Sequence, residues 1–403
     1  MEGKRFIHKI RLENFLSYGS EGEEIELQPL NVLIGPNASG KSNLIEAIGI
    51  LREVPRDVEA AIRYGGGTLD FLWKGGKEIP VAEIQVTLNH PLNLQPLSYR
   101  LKFTALYGLN FQLLDEAIEN EPLSLNREDV FFYYRLNHNG RTISRFRYQD
   151  GSGEYKFHEE AWDEQMLQFN KSILSQLKDI RKYPEITYLG STLSTICLYR
   201  DLPFGRNSQP RRPQQADFPV YPLMEDGSNI GLVLNNLQLQ IGNRKIIEKL
   251  KKFYELAEDI SVRIYGGTVQ IFIREEGLTQ PIPATRLSDG TLRYLFLIAL
   301  LLDPAPPPLI CLEEPEIGLH PDILPTIAEM LIEASTRTQL IVTTHSDALV
   351  SALNEYPESI LICERDEKGS HLRRLEPEKL KHWLENYTLG DLWRMGEIGG
   401  NRW

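Results

Sequence analysis

Gly35, Gly40, Lys41 and Ser42 fall at the spacing G-x-x-x-x-G-K-[ST] within "GPNASGKSN", and each residue type has a task there. The two glycines let the backbone curl so that successive N–H groups point inward at an anion, and the helix that follows adds its positive end. Lys41 can reach terminal phosphates, and the Ser42 hydroxyl can enter the oxygen shell of a magnesium ion. Much further along, "LICLEEPEIGLHP" offers adjacent carboxylates, Glu313 and Glu314. One could hold a metal, usually through water, and the next could orient and polarise an attacking water. A third polar group, "TTHS" with His345, follows another apolar run.

These groups need elements that present them together. Val32 to Ile34 reads as a buried strand that breaks at Gly35, and a helical pattern begins at Ser42 with Leu44, Ile45, Ala47, Ile48 and Leu51 on one face. Leu309 to Leu312 and Leu340 to Val342 are short apolar strand patterns, each ending in the polar groups just named. Neighbouring residues on a strand point to opposite faces, so Glu313 and Glu314 reach one site only if the chain turns at the strand end. In "RLSDGTLRYLFLIALLLDP", Ser288, Asp289 and Gly290 open a helix from Leu292 to Leu302 that is apolar all round, so it must be buried with its start near a surface. A serine and a glycine at such a helix mouth make a second anion site.

Composition excludes several classes. The 403 residues are 41% hydrophobic and 25% charged, a globular profile with chain enough for two or three compact units. No apolar run reaches the length of a membrane span and the first residues lack a signal-peptide core, so a cytoplasmic protein without membrane contact is expected. Cys197, Cys311 and Cys363 are scattered, which suggests neither disulfides nor zinc. With 44 Lys and Arg against 56 Asp and Glu the net charge is −12, which disfavours wholesale coating of nucleic acid but permits a local basic patch.

Taken in order, the motifs resemble those of ABC-type ATPase heads of the RecF and SMC-like branch, close to the ATPases grouped near the OLD family. "GPNASGKSN", covering Gly35, Pro36, Asn37, Ala38, Ser39, Gly40, Lys41, Ser42 and Asn43, is similar to the Walker A loop. "RLSDGTLR" is similar to the signature, "CLEEPE" to Walker B with its catalytic glutamate, "EIGLHP" to the D-loop and "TTHS" to the switch histidine. Asp289 stands where transporter-type signatures have glycine, which favours the soluble branch. The opening "IHKIRLENFLSYGSEGEEIEL" resembles the branch's first strands, with a loop near Phe15 or Tyr18 beside the base. No glutamine matches a Q-loop clearly, Gln85 being a weak candidate.

The resemblance implies an α/β fold, a P-loop NTPase head with a mixed β-sheet flanked by helices, that binds and hydrolyses ATP with Mg2+ between two facing copies. Lys41 would contact terminal phosphates, Ser42 and Glu313 would hold magnesium, and Glu314 would be the base for water. His345 would sense the terminal phosphate, while Ser288, Asp289 and Gly290 act from the partner copy. The head would comprise 1–79, with Walker A, and 261–403, with the other motifs. The long gap between Ser42 and Leu287 implies a β-rich and helical insert at 80–260. Within it, strands with hairpin turns at His138–Gly140 and Gln149–Glu154 are expected, then helices over Glu159–Arg181 and Ile230–Ile260 with a break near Gly242. Asp201 to Pro219 reads as an irregular loop.

No heptads or C-x-x-C hook suggest a long coiled coil. Arg135, Arg141, Arg145 and Arg147 among aromatics, Arg206, Arg211 and Arg212, and Lys245, Lys249, Lys251 and Lys252 are the candidate DNA-contacting patches, which solvated faces would equally explain. Related OLD nucleases carry a fused TOPRIM domain, for which the tail after His345 leaves no room, so cutting would fall to a separate effector. The expected roles are an ATPase subunit of an anti-phage or anti-plasmid defence complex with a partner such as a nuclease, a RecF-like DNA-repair clamp, or a nucleotide-stabilised scaffold.

Overall fold

A computed structural model describes residues 2–90, 95–107, 110–121, 130–138, 141–149, 155–163, 165–200 and 204–400. Strands are numbered along the chain. Five apolar strands lie parallel in the central sheet in the order β10 (Cys197–Tyr199), β15 (Leu309–Glu313), β16 (Gln339–Thr343), β3 (Leu30–Ile34) and β17 (Ile360–Asp366), and β18 (Gly369–Arg374) closes one edge antiparallel. Near-continuous apolar runs are what a sheet buried on both faces requires. Successive side chains divide between two cores: Val32, Ile34, Ile310, Leu312, Leu340 and Val342 face one, and Leu33, Leu309, Cys311, Ile341 and Cys363 face the other.

Helix α1 (Lys41–Glu53) buries Leu44, Ile45, Ala47, Ile48 and Leu51 in the second core, the face expected from the spacing. The helix Asp289–Leu301 fills the first core with nearly every side chain, and Ser288 caps its surface end by accepting from the Thr291 amide at 3.0 Å.

An antiparallel sheet of eight strands covers the second core in the order β2 (Glu23–Glu26), β1 (Ile7–Glu13), β4 (Ala82–Leu88), β5 (Leu97–Leu106), β6 (Asn110–Asn120), β7 (Phe132–His138), β8 (Arg141–Gln149) and β9 (Tyr155–Trp162). The division drawn at 79/80 therefore runs between β1 and β4, which are hydrogen-bonded neighbours, and the one at 260/261 lies inside β12 (Ala257–Tyr265). That strand pairs with β13 (Thr268–Glu275), flanked by β11 (Gln214–Gln215) and β14 (Ile282–Pro283).

Two expected helices are corrected. Over Glu159–Arg181 the chain first continues β9, where Glu159, Glu160, Ala161 and Trp162 pair residue by residue with β8. Among the described residues of that stretch only Ile173–Gln176 is helical, capped by Ser172. A helix that was not expected, Pro184–Leu193, follows and buries Ile186, Leu189, Gly190 and Leu193. The stretch Ile230–Ile260 breaks at Gly242 (φ 82°) into Ile230–Ile241 and Asn243–Lys251, as its glycine foretells, but ends in β12. Gly266 and Gly267, both with positive φ, make the two-residue turn that pairs β12 with β13. The two hairpin tips expected at His138–Gly140 and Gln149–Glu154 lie largely outside the described residues, although β7 pairs with β8 and β8 with β9 across them. Among the described residues no helix is long and apolar enough to cross a membrane.

One buried acid anchors the large sheet. Glu116 on β6 accepts from Tyr99 Oη at 2.7 Å, Ser172 Oγ at 2.5 Å and the Ile173 amide at 2.8 Å. Burial outweighs these donors and pushes its carboxyl up to about 7. The folded state thus keeps a proton that the unfolded chain has lost, so stability falls as pH rises from the ordinary carboxylate range to about 7. Between about pH 5 and about pH 8, denaturant unfolding should show the native protein losing up to about 3 kcal/mol relative to a Glu116→Gln variant, whose own change across that window lacks this contribution.

Candidate functional site

Register brings the polar groups to one line. Glu313 lies opposite Thr343 on β16, and Thr343 opposite Leu33 on β3, so three parallel strands end together at the glycine loop. This is the edge of an open α/β sheet where ligands ordinarily bind. Gly35 (φ 149°) and Gly40 (φ 108°) open and close the loop, with Ala38 also left-handed (φ 65°). A Cβ on Gly35 would stand 2.2 Å from the Cys363 carbonyl oxygen, and one on Gly40 would stand 2.4 Å from Ser370 Oγ. The loop is braced from outside: Tyr18 Oη donates to the Gly40 carbonyl at 3.1 Å, and Ser17 Oγ joins Asn43 at 2.7 Å and Ser370 at 2.6 Å.

Lys41 is buried and its ammonium donates to the carbonyls of Gly35 (2.8 Å) and Pro36 (2.9 Å). Burial lowers its pKa, while Cys363, Glu314 and Glu313 pull it the other way. Ser42 Oγ donates to Glu313 Oε2 at 3.0 Å, a hydroxyl and a carboxylate converging from elements 271 residues apart. That pair supplies the hard oxygen donors a magnesium ion prefers. Among the described residues no group of three His, Cys, Asp or Glu side chains converges as a softer metal would need.

The turn required at the end of β15 is present. Glu314 adopts φ 46° and its amide donates to the Thr343 carbonyl at 3.0 Å, so its side chain leaves the strand's alternation. Its carboxylate lies 3.7 Å from His345 Nε2. Glu316 fixes the histidine's backbone by accepting from Thr344 Oγ1 at 2.5 Å and from the His345 amide at 2.9 Å. Sequence reading missed Glu316 as a functional support. The only signal was a third acid two residues after the pair, which by itself reads as a solvated glutamate.

The signature residues are not brought to this line. Ser288 and Asp289 are exposed, and their described partners lie elsewhere. Ser288 Oγ is 2.8 Å from Thr291 Oγ1, and Asp289 forms an ion pair with Arg211. Arg211 also donates to the Leu287 carbonyl at 2.5 Å and the Gly205 carbonyl at 3.2 Å, which makes it a structural clamp on the signature rather than an open cation.

Other expectations change in the same way. Phe15 and Tyr18 are fully buried. Gln85 sits in β4 with its amide on Ser98 Oγ at 2.8 Å, within the large sheet. Arg135 pairs with Glu119 at 2.6 Å and Arg145 with Glu159 at 2.5 Å, both guanidinium groups lying over the Phe132 ring. The side chains of Arg141 and Arg147 lie outside the described residues, whereas Lys245, Lys251 and Lys252 are exposed.

A family model described as "AAA domain, putative AbiEii toxin, Type IV TA system" matches residues 30–351. No curated protein sequence matches the chain. Among solved structures, the crystal structure of an Smc head bound to the C-winged helix domain of ScpA is 15% identical, with a TM-score of 0.55 over 94% of this chain and 100% of that one. An Smc head domain with an extended coiled coil, bound to the C-terminal domain of ScpA and derived from Pyrococcus furiosus, is 16% identical, with a TM-score of 0.52 over 94% of this chain and 98% of that one. At such identities the likeness concerns the fold, an α/β P-loop NTPase fold like that of Smc heads.

Because the Cys363 carbonyl is backbone on a central strand, it cannot yield to a new methyl group. Gly35→Ala should lower stability by more than about 2 kcal/mol in denaturant unfolding, from the clash and the left-handed φ together. Gly205, whose φ is also positive but which has open space around it, should tolerate alanine with only the conformational cost.

Proposed function

The chain belongs to the AAA-domain family, and from that membership and the geometry of its loop we propose that it is an ATPase whose working site forms between two copies. The observation that carries the proposal is the shared strand-end line, where the Ser42–Glu313 and Glu314–His345 pairs stand beside the Lys41 loop while Ser288 faces outward elsewhere.

In this reading the backbone N–H groups of the loop and Lys41 hold the phosphates of ATP, and Ser42 and Glu313 hold magnesium, which when bound screens the phosphate charge. Glu314 orients water and takes its proton. His345, held by Glu316 through its own amide, reports on the terminal phosphate. The nucleobase has a place beside the loop: a cavity of about 440 Å³ lined by Leu16, Ser17, Asn43, Trp73 and Arg365, with the Arg365 guanidinium 5.8 Å from the Trp73 ring centroid. Leu16 and Ser17 belong to the loop between the buried Phe15 and Tyr18, and Trp73 offers the aromatic face.

Ser288, Asp289 and Gly290 would complete the site from a second copy, so that ATP draws two heads together and its hydrolysis releases them, a switch by differential contact. The biological role that fits best is the ATPase subunit of a defence complex against phage or plasmids, acting on a separate effector. A family description that refers to a Type IV toxin–antitoxin system supports that setting. A DNA clamp draws less support, since Arg135, Arg145 and Arg211 are engaged within the chain, which leaves Arg206, Arg212, Lys245, Lys251 and Lys252 as exposed cations among the described residues of those patches.

Glu314→Gln should bind ATP without turning it over, and light scattering should show its mass doubling on addition of ATP and magnesium. Lys41→Ala should show no doubling. An unchanged mass for Glu314→Gln, with ATP bound, would overturn the two-copy site. Separately, Trp73→Ala should weaken binding of ATP about tenfold in a fluorescence titration, the order of one lost base–aromatic stack.

A further inference from the structure

Arg200 follows β10 directly, and the register Leu198 to Cys311 and Tyr199 to Leu312 carries it to a position beside Glu313. Three edges of its guanidinium point at two elements of the candidate site. Nη1 pairs with Glu46 on α1, Nη2 donates to the Ile45 carbonyl at 3.2 Å, and Nε lies 3.6 Å from Glu313 Oε1. Nε is buried and has no hydrogen-bond partner in this structure. Glu313 is thus addressed on both oxygens, by Ser42 on Oε2 and by Arg200 near Oε1.

A strand-to-helix tie alone would need only the pair with Glu46. A buried donor left aimed at the second oxygen of Glu313 is costly unless that approach tightens in use. The planar fork suits the task, because it can hold α1 by one edge and a carboxylate by another in fixed relation, which an ammonium cannot. Its neighbour Arg52 makes the contrast. It borders the same cavity of about 430 Å³ but pairs its guanidinium with Glu53 and Glu225.

We propose that Arg200 is a positioning residue for the magnesium-holding carboxylate: it fixes the rotation of Glu313 so that one oxygen stays turned to Ser42 and the metal. The inference rests on the proposed Mg2+ and ATP site and deepens it. Groups that orient a metal-holding carboxylate typically account for 10–100-fold in metal affinity.

The test uses the full chain carrying Glu314→Gln, a fluorescent ATP analogue as probe, and titration with Mg2+ from an EDTA-treated start. Adding Arg200→Met should raise the Mg2+ concentration for half-maximal binding by about tenfold or more, with binding of the analogue in EDTA unchanged. Arg200→Lys should recover little of this, because it keeps the charge but not the fork. Arg52→Gln should leave the Mg2+ dependence where it was. Thermal unfolding without nucleotide reports whether each variant folds, and if Arg200→Met does not, Arg200→Lys carries the same comparison. Equal loss of binding in EDTA and in Mg2+, or an unshifted Mg2+ dependence, would overturn the positioning role while leaving the ATP site standing. Failure of the Glu314→Gln parent to bind the analogue at all would overturn the site reading and this inference with it.

Discussion

The alignment of parallel strands is the constraint on which everything else depends. β15, β16 and β3 are held in register by buried side chains on both faces, so their ends cannot slide independently. A one-residue slip would exchange the two cores, turning Leu312 and Val342 toward the face that Cys311 and Ile341 now fill. Full burial of each such side chain is worth about 1.5–3 kcal/mol, and several would be misplaced at once. The polar groups at the strand ends therefore inherit a precision they do not generate themselves. Glu313 meets Ser42 across most of the chain's length because apolar packing has fixed where each strand stops.

At those ends, local backbone conformation does what the sheet cannot. Glu314 leaves the strand with φ 46°, an uncommon state for a residue with a side chain, and is held there by its amide on the Thr343 carbonyl. The cost of that conformation is met by the strand pairing on either side, and the result is that Glu313 turns to Ser42 while Glu314 turns to His345. The glycine loop follows the same logic. Its left-handed residues are tolerated because Tyr18, Ser17 and Ser370 lock the loop from behind.

Much of this was legible in the sequence where pattern and mechanism coincide. The apolar runs before Gly35, Glu313 and Thr343 marked the three strands, and the glycine spacing marked the loop, because buried parallel strands and phosphate cradles each demand a narrow set of residue types. What escaped reading depends on partners far away in the chain. Glu159 to Trp162 has helical composition, yet pairing with β8 decides its state, an instance of tertiary context overriding propensity. Arg135, Arg145 and Arg211 looked like open cations, and only the fold shows Glu119, Glu159 and Asp289 beside them. Arg200 carries no local mark and Glu316 only that of a solvated acid, since their meaning lies in what β10 and β16 place next to them.

The proposed division of the site between two copies has a geometric consequence. Within one chain, the N-terminal end of helix Asp289–Leu301 is occupied with its own capping and with Arg211, and it presents Ser288 to the outside. A loop and a signature that cannot meet in one copy can meet twice in a twofold pair, since an isologous interface places the same two patches against each other in both directions. Two nucleotides would then be held for one interface, and the loss of either terminal phosphate would remove half of the bridging contacts. Arg211, which clamps Asp289, would lie at that proposed interface, and it belongs to the segment between β10 and the helix Ile230–Ile241, so a displacement of that segment would be felt at Asp289. Whatever the segment contacts would, in the proposed pair, be coupled to the pairing of heads through one guanidinium.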